Sequence, residues 1–161
     1  VYTELTDPPA LRFWPEVKGR DGCRTPMVWD ADQPNAGFSD GTPWLPVKAP
    51  QSARAVRAQH SANDSVLGAY RDTLAFRKSQ PALRWGETEF LDLPEPFLGL
   101  RRTRDGESLT CVYNLSAKAL RLTLRDKTEL AGPSRASLQG KTLSLPANGF
   151  AWLEGAPALS A

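Results

Sequence analysis

Residues 97–113 read Phe-Leu-Gly-Leu-Arg-Arg-Thr-Arg-Asp-Gly-Glu-Ser-Leu-Thr-Cys-Val-Tyr, with a strong hairpin signal at Asp105-Gly106. Both residues tolerate positive φ, as the two central positions of a tight hairpin turn require, so the flanking segments read as paired antiparallel strands. The return strand Ser108–Tyr113 alternates polar and apolar side chains, and Leu120–Leu124 does so cleanly, the pattern of a half-buried strand with one wet face. Thr142–Leu145 repeats the pattern and Gly149–Leu153 closes the set; on the upstream side Phe90, Leu91 and Leu93 precede Pro94 and Pro96. Several short strands separated by turn signals predict an antiparallel sandwich of about 70 residues, beginning near Gly86. Arg101, Arg102 and Arg104 are expected to form one solvated strand face. Trp85 and Trp152 are expected in the sandwich core or at its seam with a helix.

Immediately before the strands lies a helix predicted at about residues 64–79. Asn63, Asp64 and Ser65 offer capping oxygens, and Val66, Leu67, Tyr70, Leu74 and Arg77 follow at helical spacing. Pro81 disfavours helical geometry at Gln80 and ends it. Ala69, Leu74 and Phe76 widen the apolar face, so the helix is expected to pack on something larger than a hairpin. Residues 1–61 have another texture: eight prolines, from Pro8 to Pro50, interleave with Trp14, Trp29 and Trp44. That density forbids long helices and central strands, yet the aromatic content is too high for a disordered linker. The segment reads as a long ordered loop that folds against a surface outside this chain.

Composition narrows the functional classes. With 40% hydrophobic and 24% charged residues the chain is globular, and a net charge of +2 leaves no electrostatic footprint for nucleic acid or an anionic membrane. No apolar run approaches the roughly 20 residues needed to span a bilayer. Cys23, Cys111 and His60 give neither a disulfide framework nor metal-ligand spacing, so no metal or cofactor is expected in this chain and the cytoplasm is the expected setting. Val1 is not an initiator and no secretion signal follows it, so the chain is expected to be part of something longer. The acids of the strand region (Glu87, Glu89, Asp92, Asp105, Glu107, Asp126 and Glu129) are expected on the solvated surface.

One dense polar cluster stands out: Gly19-Arg20-Asp21-Gly22-Cys23-Arg24-Thr25-Pro26-Met27-Val28-Trp29-Asp30. Guanidinium groups donate paired hydrogen bonds to carboxylates or vicinal hydroxyls, and aromatic faces pack on pyranose rings, so the cluster could form a sugar-facing edge. The same residues could equally tie the loop down, with Arg20 and Arg24 bonding Asp21 and main-chain carbonyls. Residue chemistry does not choose between these, nor between loop core and sugar platform for Trp14, Trp29 and Trp44.

Residues 19–30, with Pro-Asn-Ala-Gly-Phe-Ser at 34–39 and Pro-Trp-Leu-Pro-Val at 43–47, closely resemble the α-glucosidases of glycoside hydrolase family 13. Asp64–Leu67, Tyr70-Arg71, Phe76–Lys78 and Pro81–Leu83 are similar to the last helix of that family's barrel; Tyr113–Ser116 and Leu145–Leu153 are similar to its closing β-domain. The resemblance implies the end of a TIM (β/α)8 barrel (residues 1–84, with the long loop after strand 8 over 1–61 and the last helix at about 64–79). An antiparallel β-sandwich C-terminal domain then follows over 85–161. It implies retaining hydrolysis or transglycosylation of small α-linked glucosides such as maltose, isomaltose or sucrose by two carboxylates. These, and a third acid, belong to earlier barrel strands, so no catalytic residue is expected in this chain and the isolated piece is expected to be inactive. Any structural calcium would likewise belong to the missing part. Arg20 matches the arginine that grips the non-reducing glucose, Arg24 a second substrate-pocket arginine, and Asp21 a loop-orienting residue. The expected partners are a small α-glucoside or oligosaccharide and the N-terminal barrel portion of the same enzyme, with no nucleic acid and no membrane. The rival reading, a free-standing carbohydrate-binding or structural β-module, leaves the proline-rich loop and lone helix without a purpose.

Overall fold

The computed structural model describes residues 2–160, and the chain packs as two compact units, Val1–Gly68 and Ala69–Ala161. The first contains short helices where the sequence suggested an irregular loop: α1 (Pro8–Phe13), α2 (Ala49–Ser52) and α3 (Val56–His60), with 3-10 turns at Tyr2–Glu4, Asp21–Cys23 and Pro34–Gly37. The prolines start these helices instead of preventing them. Pro8 and Pro50 occupy first-turn positions of α1 and α2, where a missing N–H costs nothing and the fixed φ is already helical; Pro34 instead opens a turn whose Asn35 and Ala36 are left-handed (φ 51° and 58°). Val28, Ala36 and Ala55 form a small buried cluster with Val47 against it. Main-chain bonds from Val56 to Val28 and from Arg57 to Trp29 (3.0 and 2.9 Å) hold α3 on that cluster, and Arg57 adds an ion pair to Asp30 at 2.7 Å.

The long helix α4 spans Val66–Ser79. Ser65 caps it: its Oγ accepts the Gly68 N–H at 3.0 Å and donates to the Gln59 carbonyl at 2.7 Å. Its apolar residues are not covered as expected. Val66, Tyr70 and Leu74, four residues apart along one stripe, are all exposed, and no residue of the helix is fully buried. Leu67 and Phe76 are half-buried, Phe76 packing on Trp152 with ring centroids 5.6 Å apart. Pro81 ends α4 as read, but it also opens a second short helix, α5 (Pro81–Trp85).

The rest of the second unit is the expected antiparallel sandwich. One sheet has the order β1-β2-β3-β7 and the other β5-β6-β4-β8. The strands are β1 Glu87–Leu91, β2 Phe97–Arg104, β3 Glu107–Asn114, β4 Leu120–Leu124, β5 Ser137–Gln139, β6 Thr142–Leu145, β7 Phe150–Glu154 and β8 Leu159–Ser160. The Asp105-Gly106 hairpin forms with φ of 52° and 84°, and Arg104 pairs with Glu107 across it. The sequence reading passed over β5 and β8, which are three and two residues long. Between the sheets, Val112, Ala151 and Leu153 meet Leu122, Leu124, Leu143 and Leu145, all buried. Each large aliphatic side chain here withdraws enough area to contribute about 2 kcal/mol in gross.

The inner strands of the first sheet, β3 and β7, are buried on both faces, while β1 is exposed. Val112 points to the sandwich core, whereas Leu109 and Cys111 pack with Trp152, Leu83 and Phe76 on the opposite side. Strand β3 is therefore not half-wet, despite its alternating sequence. Desolvation there pushes the Cys111 thiol and the Tyr113 hydroxyl each up to about 12. Gly132, with φ +62°, lies so close to Phe76 that a Cβ would meet the ring at 2.5 Å.

Tertiary contacts correct two sequence readings of side-chain roles, those of the strand arginines and of Trp85. Arg101, Arg102 and Arg104 do not share a solvated face. Arg101 pairs with Glu89, while Arg102 reaches α5 and donates to the carbonyls of Ala82, Leu83 and Gly86 (3.2, 3.5 and 2.7 Å) and to Thr88 Oγ1. Trp85, expected in the core or seam, is 57% exposed, with the guanidinium groups of Arg84 and Arg104 over its ring at 3.8 and 5.4 Å. Trp152 does occupy the seam. Asn114, buried, bonds Lys118 and Pro146 through its amide nitrogen and Ser116 through its oxygen, shaping the turn into β4.

Candidate functional site

The polar cluster at residues 19–30 is built on two buried carboxylates, Asp21 holding the main chain at residues 6–7 and Asp7 holding that of Arg20. Asp21, in the 3-10 turn Asp21–Cys23, accepts the Thr6 N–H at 2.6 Å, the Thr6 hydroxyl at 2.9 Å and the Asp7 N–H at 3.0 Å. Asp7, only 2% exposed, accepts in return the Arg20 N–H at 3.1 Å and the Arg24 guanidinium at 2.9 Å. Each carboxylate thus satisfies main-chain donors that lie outside any helix or strand ladder. Gly19 makes the approach feasible: its φ is +66°, and a Cβ there would lie 2.5 Å from Asp7 Oδ2 and 2.6 Å from the Ala10 Cβ. Ala10, fully buried on α1, is the floor of this corner.

The three residues singled out from the sequence are therefore brought together, in different states. Asp21 is buried and binds the main chain at residues 6–7. Arg24 is half-committed, its side chain 37% exposed and its Nη1 on Asp7. Arg20 is exposed; its main chain is pinned by Asp7, yet among the described residues its guanidinium has no hydrogen-bond or ion-pair partner. Neither arginine bonds Asp21, as the tie-down alternative would have had it. Asp7, which organises both, was not among the sequence candidates. Its only local signal is an acid before Pro8-Pro9 at a helix start, where capping is the ordinary expectation, and it makes no side-chain cap bond.

The hydrogen bond from the Thr6 N–H, aided by that from Asp7, holds the Asp21 carboxyl below the usual aspartate range against the opposing effect of desolvation. A carboxyl with a depressed folded-state value stabilises the fold fully above its unfolded value, and that contribution disappears as pH falls through the folded value. Asp21→Asn is therefore expected to lower Tm at neutral pH and to flatten the acid side of the Tm–pH curve. Thermal melts across that range test this, and a variant with the wild-type acid slope would contradict it.

Around the clasp the surface is aromatic and open. Met27, Trp29, Phe38 and Trp44 are all more than half exposed, Trp44 at 68%. A cavity of about 360 Å³ opens beside Asp21 and Gly22, with Thr25, Leu45, Lys48 and Gln51 on its wall. Gln51 donates to Thr25 Oγ1 and Lys48 pairs with Glu4 along that wall. The acids of the strand region all lie exposed at the surface of the second unit. Among the described residues no group of three or more His, Cys, Asp or Glu side chains could hold a metal, and no helix is long and apolar enough to cross a membrane.

Comparison with known proteins identifies the family. A family model described as "Alpha amylase, catalytic domain" matches residues 2–86, which is more than half of the chain. The chain belongs to the alpha-amylase family. Within that family it is 48% identical over 118 residues to a probable alpha-glucosidase of Rhizobium meliloti (strain 1021), covering 73% of this chain and 21% of that protein. It is 36% identical over 102 residues to an oligo-1,6-glucosidase of Parageobacillus thermoglucosidasius, covering 63% of this chain and 18% of that one. Among solved structures it superimposes on an alpha-glucosyl transfer enzyme, XgtA, with TM-score 0.86 and 41% identity, over 97% of this chain and 30% of that chain. An isomaltulose synthase mutant from Erwinia rhapontici NX5, in complex with its natural substrate sucrose, matches with TM-score 0.72 and 26% identity over 89% of this chain and 26% of that one. The chain thus spans about a fifth to a third of the length of these alpha-amylase-family relatives.

Proposed function

We propose that this chain is the C-terminal portion of a larger retaining α-glucosidase acting on small α-linked glucosides such as maltose, isomaltose or sucrose, by hydrolysis or glucosyl transfer. In this reading residues 1–84 are the C-terminal end of the catalytic barrel, with the loop over 1–61 on the active-site face, and 85–161 form the C-terminal β-domain. Arg20 grips the sugar, Arg24 lines the same pocket with one arm on Asp7, and Asp21 orients the loop. The catalytic carboxylates belong to the preceding part of the enzyme. The observation that carries the proposal is the state of Arg20: an exposed guanidinium without a partner among the described residues, on a main chain clamped by a buried carboxylate. The exposed Trp29, Phe38 and Trp44 and the uncovered Val66, Tyr70 and Leu74 stripe support it, since surfaces of that apolarity call for covering by the rest of the enzyme. The free cysteines Cys23 and Cys111 suit a reducing cytoplasmic setting.

Residues 1–161 expressed alone are expected to show no turnover of an aryl α-glucoside above a buffer blank. Adding the N-terminal portion of the enzyme is expected to restore turnover by association of the two pieces. Activity of the isolated piece that disappears on mutating any acid of the β-domain would overturn the assignment.

A further inference from the structure

Asp7 is the side chain on which the geometry of the whole polar loop converges. Its two oxygens serve two different residues, Oδ2 the Arg20 N–H at 3.1 Å and Oδ1 the Arg24 Nη1 at 2.9 Å. Its own N–H is held by Asp21 at 3.0 Å, so the carboxylate is anchored at its base as well as at its tip. Pro8 follows at the first position of α1, and the Leu11 N–H donates to the Asp7 carbonyl at 3.0 Å, which adds the helix to the anchor. Nothing else among the described residues holds the Arg20 main chain from outside its own turn. Burial matters too: a carboxylate withdrawn from water, as Asp7 is at 2% exposure, is costly to leave unpaired and so holds its donors firmly.

We propose that Asp7 is a positioning residue for substrate binding, presenting the free fork of Arg20 in one orientation by clamping the arginine's main chain and tethering Arg24 beside it. This rests on the reading of Arg20 as a sugar ligand. The physical case is that of preorganisation. A guanidinium on a mobile loop must be ordered when the substrate arrives, whereas one on a clamped main chain needs only its side-chain torsions fixed. Gly19 belongs to the same device, because its positive φ and missing Cβ let the loop close on Asp7.

The test uses the full-length enzyme carrying Asp7→Asn, Arg20→Ala and both together, with kcat/KM on an aryl α-glucoside and amide exchange at Arg20 as readouts. Asp7→Asn keeps the volume but replaces one acceptor oxygen by a donor facing Arg20 or Arg24. It is expected to lower kcat/KM about tenfold or more and to speed exchange of the Arg20 amide at least tenfold. The double variant is expected to be no more than about threefold below Arg20→Ala, because the two act through one group. Losses that multiply would show that Asp7 acts elsewhere and would overturn the inference. Unchanged exchange at Arg20 would overturn it as well. An Arg20→Ala enzyme with wild-type kcat/KM sinks the sugar-ligand reading instead, while the exchange data still decide whether Asp7 clamps the loop. If Asp7→Asn does not fold, Asp7→Glu keeps the charge and displaces it by one methylene, and the same two readouts apply.

Discussion

Replacing Arg20 by alanine in the full-length enzyme is expected to lower kcat/KM by at least about tenfold while leaving Tm nearly unchanged. The first half follows from the chemistry of the contact proposed for it: a charged, paired hydrogen bond to a sugar or to a carboxylate that holds it contributes about 1.5–3 kcal/mol, and about 1.4 kcal/mol is one decade. The second half follows from the structure. The Arg20 side chain is exposed and bonds nothing among the described residues, while the bond from its N–H to Asp7 is independent of side-chain identity. Alanine keeps that main-chain clamp. Arg20→Lys is expected to recover little, since a single ammonium cannot reproduce the planar fork. If the loss appeared in Tm and the surviving folded enzyme kept wild-type kinetics, Arg20 would be a structural residue and would leave the site.

The largest effect on stability is expected at Arg102. Arg102→Ala removes donors to Ala82, Leu83, Gly86 and Thr88 at once, and the carbonyls it leaves belong to the last turn of α5 and the residue after it. The Ala82 carbonyl also accepts the Gly86 N–H at 2.9 Å, so the arginine adds to that C-cap bond and serves the carbonyls of Leu83 and Gly86 as a side-chain cap delivered from a neighbouring strand. Losing several charge-assisted bonds at a partly buried seam is expected to cost about 2–3 kcal/mol. The loss should be concentrated in α5 and β1, where denaturant melts can be paired with amide exchange. Arg102→Lys should restore less than half, because one ammonium cannot span acceptors on both elements. A melt indistinguishable from wild type would mean that water replaces these bonds at no cost.

Arg102 also shows where sequence reading stops. Beside Arg101 and Arg104 it looks like any strand arginine facing solvent, and its role appears only when Gly86 and α5 fold back over β2. Trp85 fails the same way in reverse: aromatic and next to a helix end, it reads as core, but its neighbours Arg84 and Arg104 hold it at the surface. The prolines of residues 1–61 limit helix length as read, none there exceeding six residues among the described residues, but they do not show where the short helices start. Their φ is compatible with the first turn of a helix, and whether such a turn forms depends on what lies beneath it, as Ala10 does beneath Gly19.

What was legible depended on local chemistry. Asp105-Gly106 specifies its turn through its own φ preferences, the alternation in Leu120–Leu124 and Thr142–Leu145 follows from the two-residue period of a strand, and Ser65 caps α4 through a bond three residues away. These interactions span a few residues, so the sequence alone encodes them. The clasp between Asp7 and Asp21 joins positions 14 residues apart, Arg102 reaches back up to 20, and the Phe76–Trp152 contact joins segments at opposite ends of the second unit. No local pattern specifies such pairs. They arise because a buried carboxylate must find donors, a helix end must find a cap and a ring must find a packed neighbour, and only the assembled tertiary structure decides which residue supplies each.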